Sequence, residues 1–188
     1  MNVESLTAER WPDLVTLFGP NGANSGCWCM WWRVSAKDWS ASGSPGNRAA
    51  FEQIVRRGEP TGLLAYHEGM PVGWTAVAPR DAYPRLVRST TLRLAPDDGG
   101  LWAVTCFYIH RSHRRGGVAA ALLDAAVDHA GARGATAVEG YPVDTGGGRR
   151  PSGDLFTGTV TLFANAGFTE HSRPPTGRRI VMRRRISR

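Results

Sequence analysis

The most constraining pattern in this chain is a strand that runs through a basic, glycine-containing turn directly into a helix. Leu101 to His110 is rich in β-branched and aromatic residues and predicts a central strand. Arg111-Ser112-His113-Arg114-Arg115-Gly116-Gly117 follows. Val118, Leu122 and Ala125 then recur at helical spacing, with Asp124 and Asp128 on the other side. A helix start leaves backbone N–H groups unpaired and carries partial positive charge, so a phosphate placed there gains hydrogen bonds and electrostatic stabilisation. Gly116, Gly117 and Ala119 keep the approach open. Many α/β loops have such residues for geometric reasons alone. The segment has neither Gly-Lys-Ser/Thr nor Gly-x-Gly-x-x-Gly, which argues against a P-loop or a dinucleotide fingerprint.

Around this centre the chain reads as one domain spanning residues 1–188, a length that suffices for a substantial core. Trp11, Leu14, Val15 and Phe18 predict a first helix stopped by Gly19-Pro20, and a second helix is expected from about Asn47 to Arg57. Gly62 to His67 and Pro71 to Ala78, joined at Glu68-Gly69, read as a hairpin. Arg80 to Gly100 is a long polar connection. Beyond the central helix, Ala135 to Val143 reads as a strand and Asp144 to Gly153 as a glycine-rich loop. Leu155 to Ala166 reads as a helix, and Phe168 to Arg173 with Arg178 to Arg183 as a closing pair of strands.

Arg114-x-x-Gly117-x-Ala119, after a strand ending Tyr108-Ile109, resembles the Arg/Gln-x-x-Gly-x-Gly/Ala motif of GNAT acetyltransferases. Phe163-Ala164-Asn165-Ala166-Gly167-Phe168 resembles the helix-to-strand ending of that family, and the order of elements agrees over most of the chain. The resemblance implies an α/β (α+β) fold with a mixed, mostly antiparallel central sheet, helices on both faces and a splayed cofactor cleft. It implies acetyl-CoA as cosubstrate, lying between the Leu101 to His110 and Ala135 to Val143 strands. Backbone amides from Arg114 to Ala119, Gly116, Gly117 and Val118 among them, would take the pyrophosphate. Arg111, Arg114 and Arg115 would supply charge, and main-chain groups of Phe107 and Ile109 would pair with the pantetheine arm.

Transfer to an amine gains from a base and from an acid that protonates the departing thiolate. The family's acid is commonly a tyrosine four residues before the Gly-Phe glycine, and Phe163 stands there in this chain. Tyr108 and Tyr141 are the substitute hydroxyls, each also readable as an aromatic packed in a half-buried strand. Glu139 sits in an otherwise apolar and small-residue strand, where burial asks for a reason. A general base is one reason and a salt bridge to an arginine is the other. His110 reads as a phosphate contact, a solvated residue or a relay, and His129 as a packed residue near its helix end.

On the acceptor side, Trp28, Trp31 and Trp74, with Asp144, are candidates to line a pocket for an amine-bearing acceptor, although these rings also suit plain packing. Cys27-x-Cys29 is too sparse for a zinc site, and no metal is expected. Three cysteines and an N-terminus unlike a secretion signal predict reduced thiols in a cytoplasmic protein. No run is long enough for a membrane span. A homodimer stays open. The net charge of +7, much of it in Arg178, Arg179, Arg183, Arg184, Arg185 and Arg188, favours acidic partners and reads as a solvated tail. No nucleic-acid-binding module accompanies it. Three readings follow: an N-acetyltransferase, an acyl-CoA sensor of the same fold without turnover, and a nucleic-acid-binding protein.

Overall fold

The computed structural model describes residues 1–90, 92 and 99–186, so residues 91 and 93–98 of the connection before Leu101, and Ser187 and Arg188, lie outside the described residues. The elements run β1 (Asn2–Ser5), α1 (Trp11–Phe18), α2 (Ala36–Arg56), β2 (Gly62–His67), β3 (Met70–Pro79), α3 (Pro84–Val87), β4 (Leu101–Ile109), α4 (Val118–Gly131), β5 (Ala137–Gly140), α5 (Val160–Asn165), β6 (Thr169–Ser172) and β7 (Val181–Arg185). They build one seven-stranded sheet in the order β1-β2-β3-β4-β5-β7-β6. Among the described strands only β4 and β5 pair in parallel, because α4 carries the chain back across the sheet between them. The fold is thus mixed α/β with a mostly antiparallel sheet.

Side-chain alternation sorts the core onto two faces. On β2, Leu63 and Ala65 point to the α4 face, where they join Leu122, Leu123, Ala126 and Phe163. Leu64 points the other way, to Trp11, Leu14 and Phe18 of α1 and Phe51 of α2. Helices therefore cover both faces, and none among the described residues is long and apolar enough to cross a membrane.

Several boundaries differ from the sequence expectation, each for a physical reason. β1 was not anticipated; it is a four-residue edge strand held by antiparallel pairing with β2. α2 begins at Ala36 rather than Asn47, because Ser35 caps Asp38 N–H at 3.1 Å and the helix continues through a kink at Gly43. The helix expected over Leu155 to Ala166 is broken. Ser152–Leu155 is a single 3₁₀ turn, Gly158 takes φ 84°, and Thr159 restarts the helix by accepting from Leu162 N–H. The strand expected over Ala135 to Val143 pairs only from Ala137 to Gly140, after which Pro142 offers no donor. The closing strands pair as Thr169–Ser172 and Val181–Arg185.

Two features make direct stability predictions. Gly140 lies against the ring of the fully buried Phe163, so closely that a Cβ would overlap it. Gly140→Ala should lower the unfolding free energy by roughly 1–3 kcal/mol in urea titration, and a Gly140→Ala/Phe163→Leu double variant should recover part of it. His129 packs edge-to-face on Trp102, and its Nδ1 accepts from Arg133 at 3.0 Å. Burial, then the Arg133 charge, holds its pKa down at about 4. The unfolded chain binds the extra proton between the ordinary value near 6.5 and about 4, so this contribution to stability is present above 6.5 and lost as pH falls towards 4. Urea midpoints should drop between pH 7 and pH 5, and drop less in His129→Gln.

Candidate active site

The cleft begins at a bulge. β3 and β4 pair as Ala76 with Cys106 and then Val77 with Val104, which leaves Thr105 as an extra residue on β4. β5 accompanies β4 only from Leu101 to Val104, so at the bulge the two parallel strands part. Val143 makes bridges to Thr159 and Arg179 instead of continuing beside β4. Between the diverging strands lies a cleft of about 830 Å³. Trp39, Cys29, Cys106 and Tyr108 line it towards the α2 face, and Phe107, Ile109, Ala119 and Leu162 towards the α4 face, with Cys27 and Trp31 also on its wall. Leu155 and Phe156 complete the wall.

The basic turn meets one end of this cleft. Arg114 and Arg115 line it, and Arg114 Nη1 reaches Ser152 Oγ at 3.3 Å. Gly117 caps α4 at φ 77°, a conformation that favours glycine, and a Cβ placed there would meet nothing within 4 Å. The first bond of the helix runs from Ala121 N–H to Gly117 C=O at 3.0 Å, so the amides of Val118, Ala119 and Ala120 have no intrahelical acceptor. Three unpaired amides, two arginines and open space suit a phosphate group. Arg111 is exposed outside the cleft, and the Val118 side chain is buried under the sheet. Neither lines the cleft, nor do Gly116 and Gly117. His110 also lies off it, bound to Ser112.

Two backbone groups of β4 beside the splay are engaged. Phe107 N–H donates to Phe156 C=O at 2.6 Å, and Ile109 C=O accepts from Arg114 Nε at 3.1 Å. Any ligand that pairs with β4 here exchanges these bonds for its own.

Other sequence candidates fall elsewhere. Glu139 is fully buried and accepts from Arg183 at 2.6 and 3.1 Å and from Tyr141 Oη at 2.8 Å, with Arg80 Nε at 3.5 Å. Of its two sequence readings the geometry favours the salt bridge, since a carboxylate enclosed by two guanidinium groups and a phenol does not line the cleft. Tyr141 is equally buried and donates to Glu139, and burial followed by the Glu139 charge pushes its phenol well above the usual value. It too lies off the cleft. Trp74 is completely enclosed with its Nε1 on Cys29 Sγ at 2.9 Å, and Trp28 packs on Trp11 and Phe18. These two rings are core rather than pocket. Asp144 is held on the surface by Arg173 at 2.7 Å. Phe163 is packed against Phe107 and Phe168.

Tyr108, half-buried, and Trp31 do line the cleft. Sequence reading missed the cleft positions of Cys106, Phe156 and Arg179, whose own neighbourhoods in sequence carry no signal for them. The basic tail is also not a uniformly solvated end. Arg183 binds Glu139, Arg184 donates to Ala166 C=O at 2.8 Å, and Arg179 enters the cleft.

Comparison with known proteins gives a consistent picture. Residues 28–144 match the model of the Acetyltransferase (GNAT) family. No curated protein matches the chain in sequence. Among solved structures, the chain resembles the histone acetyltransferase HPA2 and related acetyltransferase from Corynebacterium glutamicum at 22% identity, covering 100% of this chain and 97% of that one with a TM-score of 0.58. It resembles the PaiA N-acetyltransferase from Thermoplasma acidophilum in complex with coenzyme A at 13% identity, 98% of both chains and TM-score 0.57. Diaminobutyrate acetyltransferase EctA from Paenibacillus lautus, in complex with L-2,4-diaminobutyric acid and coenzyme A, aligns at 14% identity over 97% of this chain and 92% of its own, TM-score 0.53.

The Glu139 cluster can be tested on stability alone. Glu139→Gln leaves Arg80 and Arg183 without their carboxylate and should cost roughly 3 kcal/mol in urea unfolding. An unchanged midpoint would return Glu139 to the catalytic candidates.

Proposed function

Since the chain belongs to the Acetyltransferase (GNAT) family, we propose that it transfers an acetyl group from acetyl-CoA to a primary amine by direct attack within a ternary complex. The observation that carries this reading is the basic turn Arg114–Gly117 opening, at the start of α4, into the splay between β4 and β5. Acetyl-CoA supplies the activated acyl group. The unpaired amides of Val118, Ala119 and Ala120, with Arg114 and Arg115, hold the diphosphate by hydrogen bonds and charge. The apolar walls from Phe107 to Leu162 exclude water from the reacting end.

With Phe163 buried and without a hydroxyl, Tyr108 is the phenol on the cleft wall and takes the role of acid towards the departing thiolate. No Asp or Glu lines the cleft among the described residues, so the amine loses its proton to water or to solvent base before attack. Three cysteines, an odd number, suit reduced thiols in a cytoplasmic setting.

Calorimetric titration with acetyl-CoA should give micromolar binding. Gly117→Glu, which sets a carboxylate where the diphosphate belongs, should abolish it. Gly117→Ala, carrying the backbone strain without the charge, should bind more tightly than Gly117→Glu. Absence of binding to the wild type would overturn the reading. Binding without transfer to a broad panel of amines would favour the sensor alternative instead.

A further inference from the structure

The cleft carries a cation without an ion-pair partner among the described residues. Arg179 leaves the loop before β7 and lines the cleft. Its guanidinium lies 5.0 Å from the centre of the Phe156 ring and 5.9 Å from that of Trp32. Nε donates to the buried Thr157 Oγ1 at 3.4 Å, and the other guanidinium N–H groups have no hydrogen-bond partner among the described residues. Asp154 is near enough to favour the charged form but makes no ion pair with it. Burial is the larger influence and pulls the guanidinium below its ordinary value. Arg85 adds a second cation close by, stacked 3.8 Å from the centre of Trp31 with Nη1 buried and unpartnered. Arg80 and Arg183, by contrast, share the carboxylate of Glu139.

A guanidinium fixed between aromatic rings in a cleft without carboxylates is costly to keep empty of anions, and its planar fork matches a carboxylate. An acceptor that presented only an ammonium group would meet repulsion here. Resting on the acetyltransferase reading, we propose that the acceptor is an amine that carries a carboxylate on an apolar or aromatic frame, a free amino acid being the smallest such molecule. Arg179 binds the carboxylate, while Trp31, Trp39 and Phe156 receive the side chain.

The test uses L-phenylalanine and L-phenylalaninamide as probes, titrated calorimetrically into the protein with and without coenzyme A. The acid should bind at least about tenfold more tightly than the amide, as a charge-assisted pair allows. Arg179→Gln should erase that preference and Arg179→Lys should keep part of it, with thermal unfolding of both variants confirming the fold. If Arg179 served only to stack on Phe156 and Trp32, acid and amide would bind alike in every variant. That result, a preference insensitive to Arg179→Gln, or no binding of the acid, overturns the proposal. Failure of the wild type to bind acetyl-CoA is a different outcome; it strikes the acetyltransferase reading and leaves the acid-against-amide comparison to decide this one.

Discussion

One extra residue on β4 is the constraint from which the rest of the site follows. A parallel pair of strands gains a hydrogen bond for every step it continues, yet β4 and β5 stop after four residues, at the point where Thr105 is squeezed out of register with β3. The bulge also reverses which residues face which side. Trp102 and Val104 point to the α4 face before it, and Phe107 does so after it, which turns Cys106 and Tyr108 to the opposite wall. Backbone groups stranded by the parting must be satisfied, and the structure does this with Phe156 C=O and the Arg114 side chain. α4 leaves from the carboxyl end of β4, so its positive end comes to lie at the mouth of the opening.

What the sequence made legible is what local periodicity can express. The β4 strand, the basic turn, α4 and the β2–β3 hairpin each carry their pattern within a window of ten to fifteen residues, and each lies where that pattern placed it within a residue or two. β1 is too short for alternation to register. The break near Gly158 was hidden because apolar residues on either side keep a helical spacing across it. Side-chain destinations were harder still. Glu139 meets Arg183 because β5 and β7 are neighbours in a sheet whose register links positions 44 residues apart. Trp28 and Trp74 look like pocket aromatics in composition, and only packing shows them to be core. Tyr108 and Trp31 look the same on paper and do reach the cleft.

The charges of the chain are divided by depth. Glu139 sets one carboxylate between two arginines in the interior, where cations with no counter-charge would oppose folding. The cleft keeps Arg114, Arg115 and Arg179 with no lining carboxylate among the described residues. A positive chain thus lessens self-repulsion at its centre while presenting a positive field along the opening. The basic C-terminal stretch contributes to both parts and is less an appendage than its composition suggests.

The thiols on the cleft wall have a chemical consequence. Cys27 and Cys106 stand beside the space proposed for a thioester, and a thiolate there would exchange with it, stranding the acyl group on the protein and releasing coenzyme A unproductively. Burial raises the Cys27 thiol to about 11, and contact with Cys29 together with burial raises Cys106 well above its ordinary value. Because the thiolate is the attacking species, the apolar wall that shields the transfer from water also keeps its own sulfurs protonated, and so protects the acyl donor from the protein that holds it.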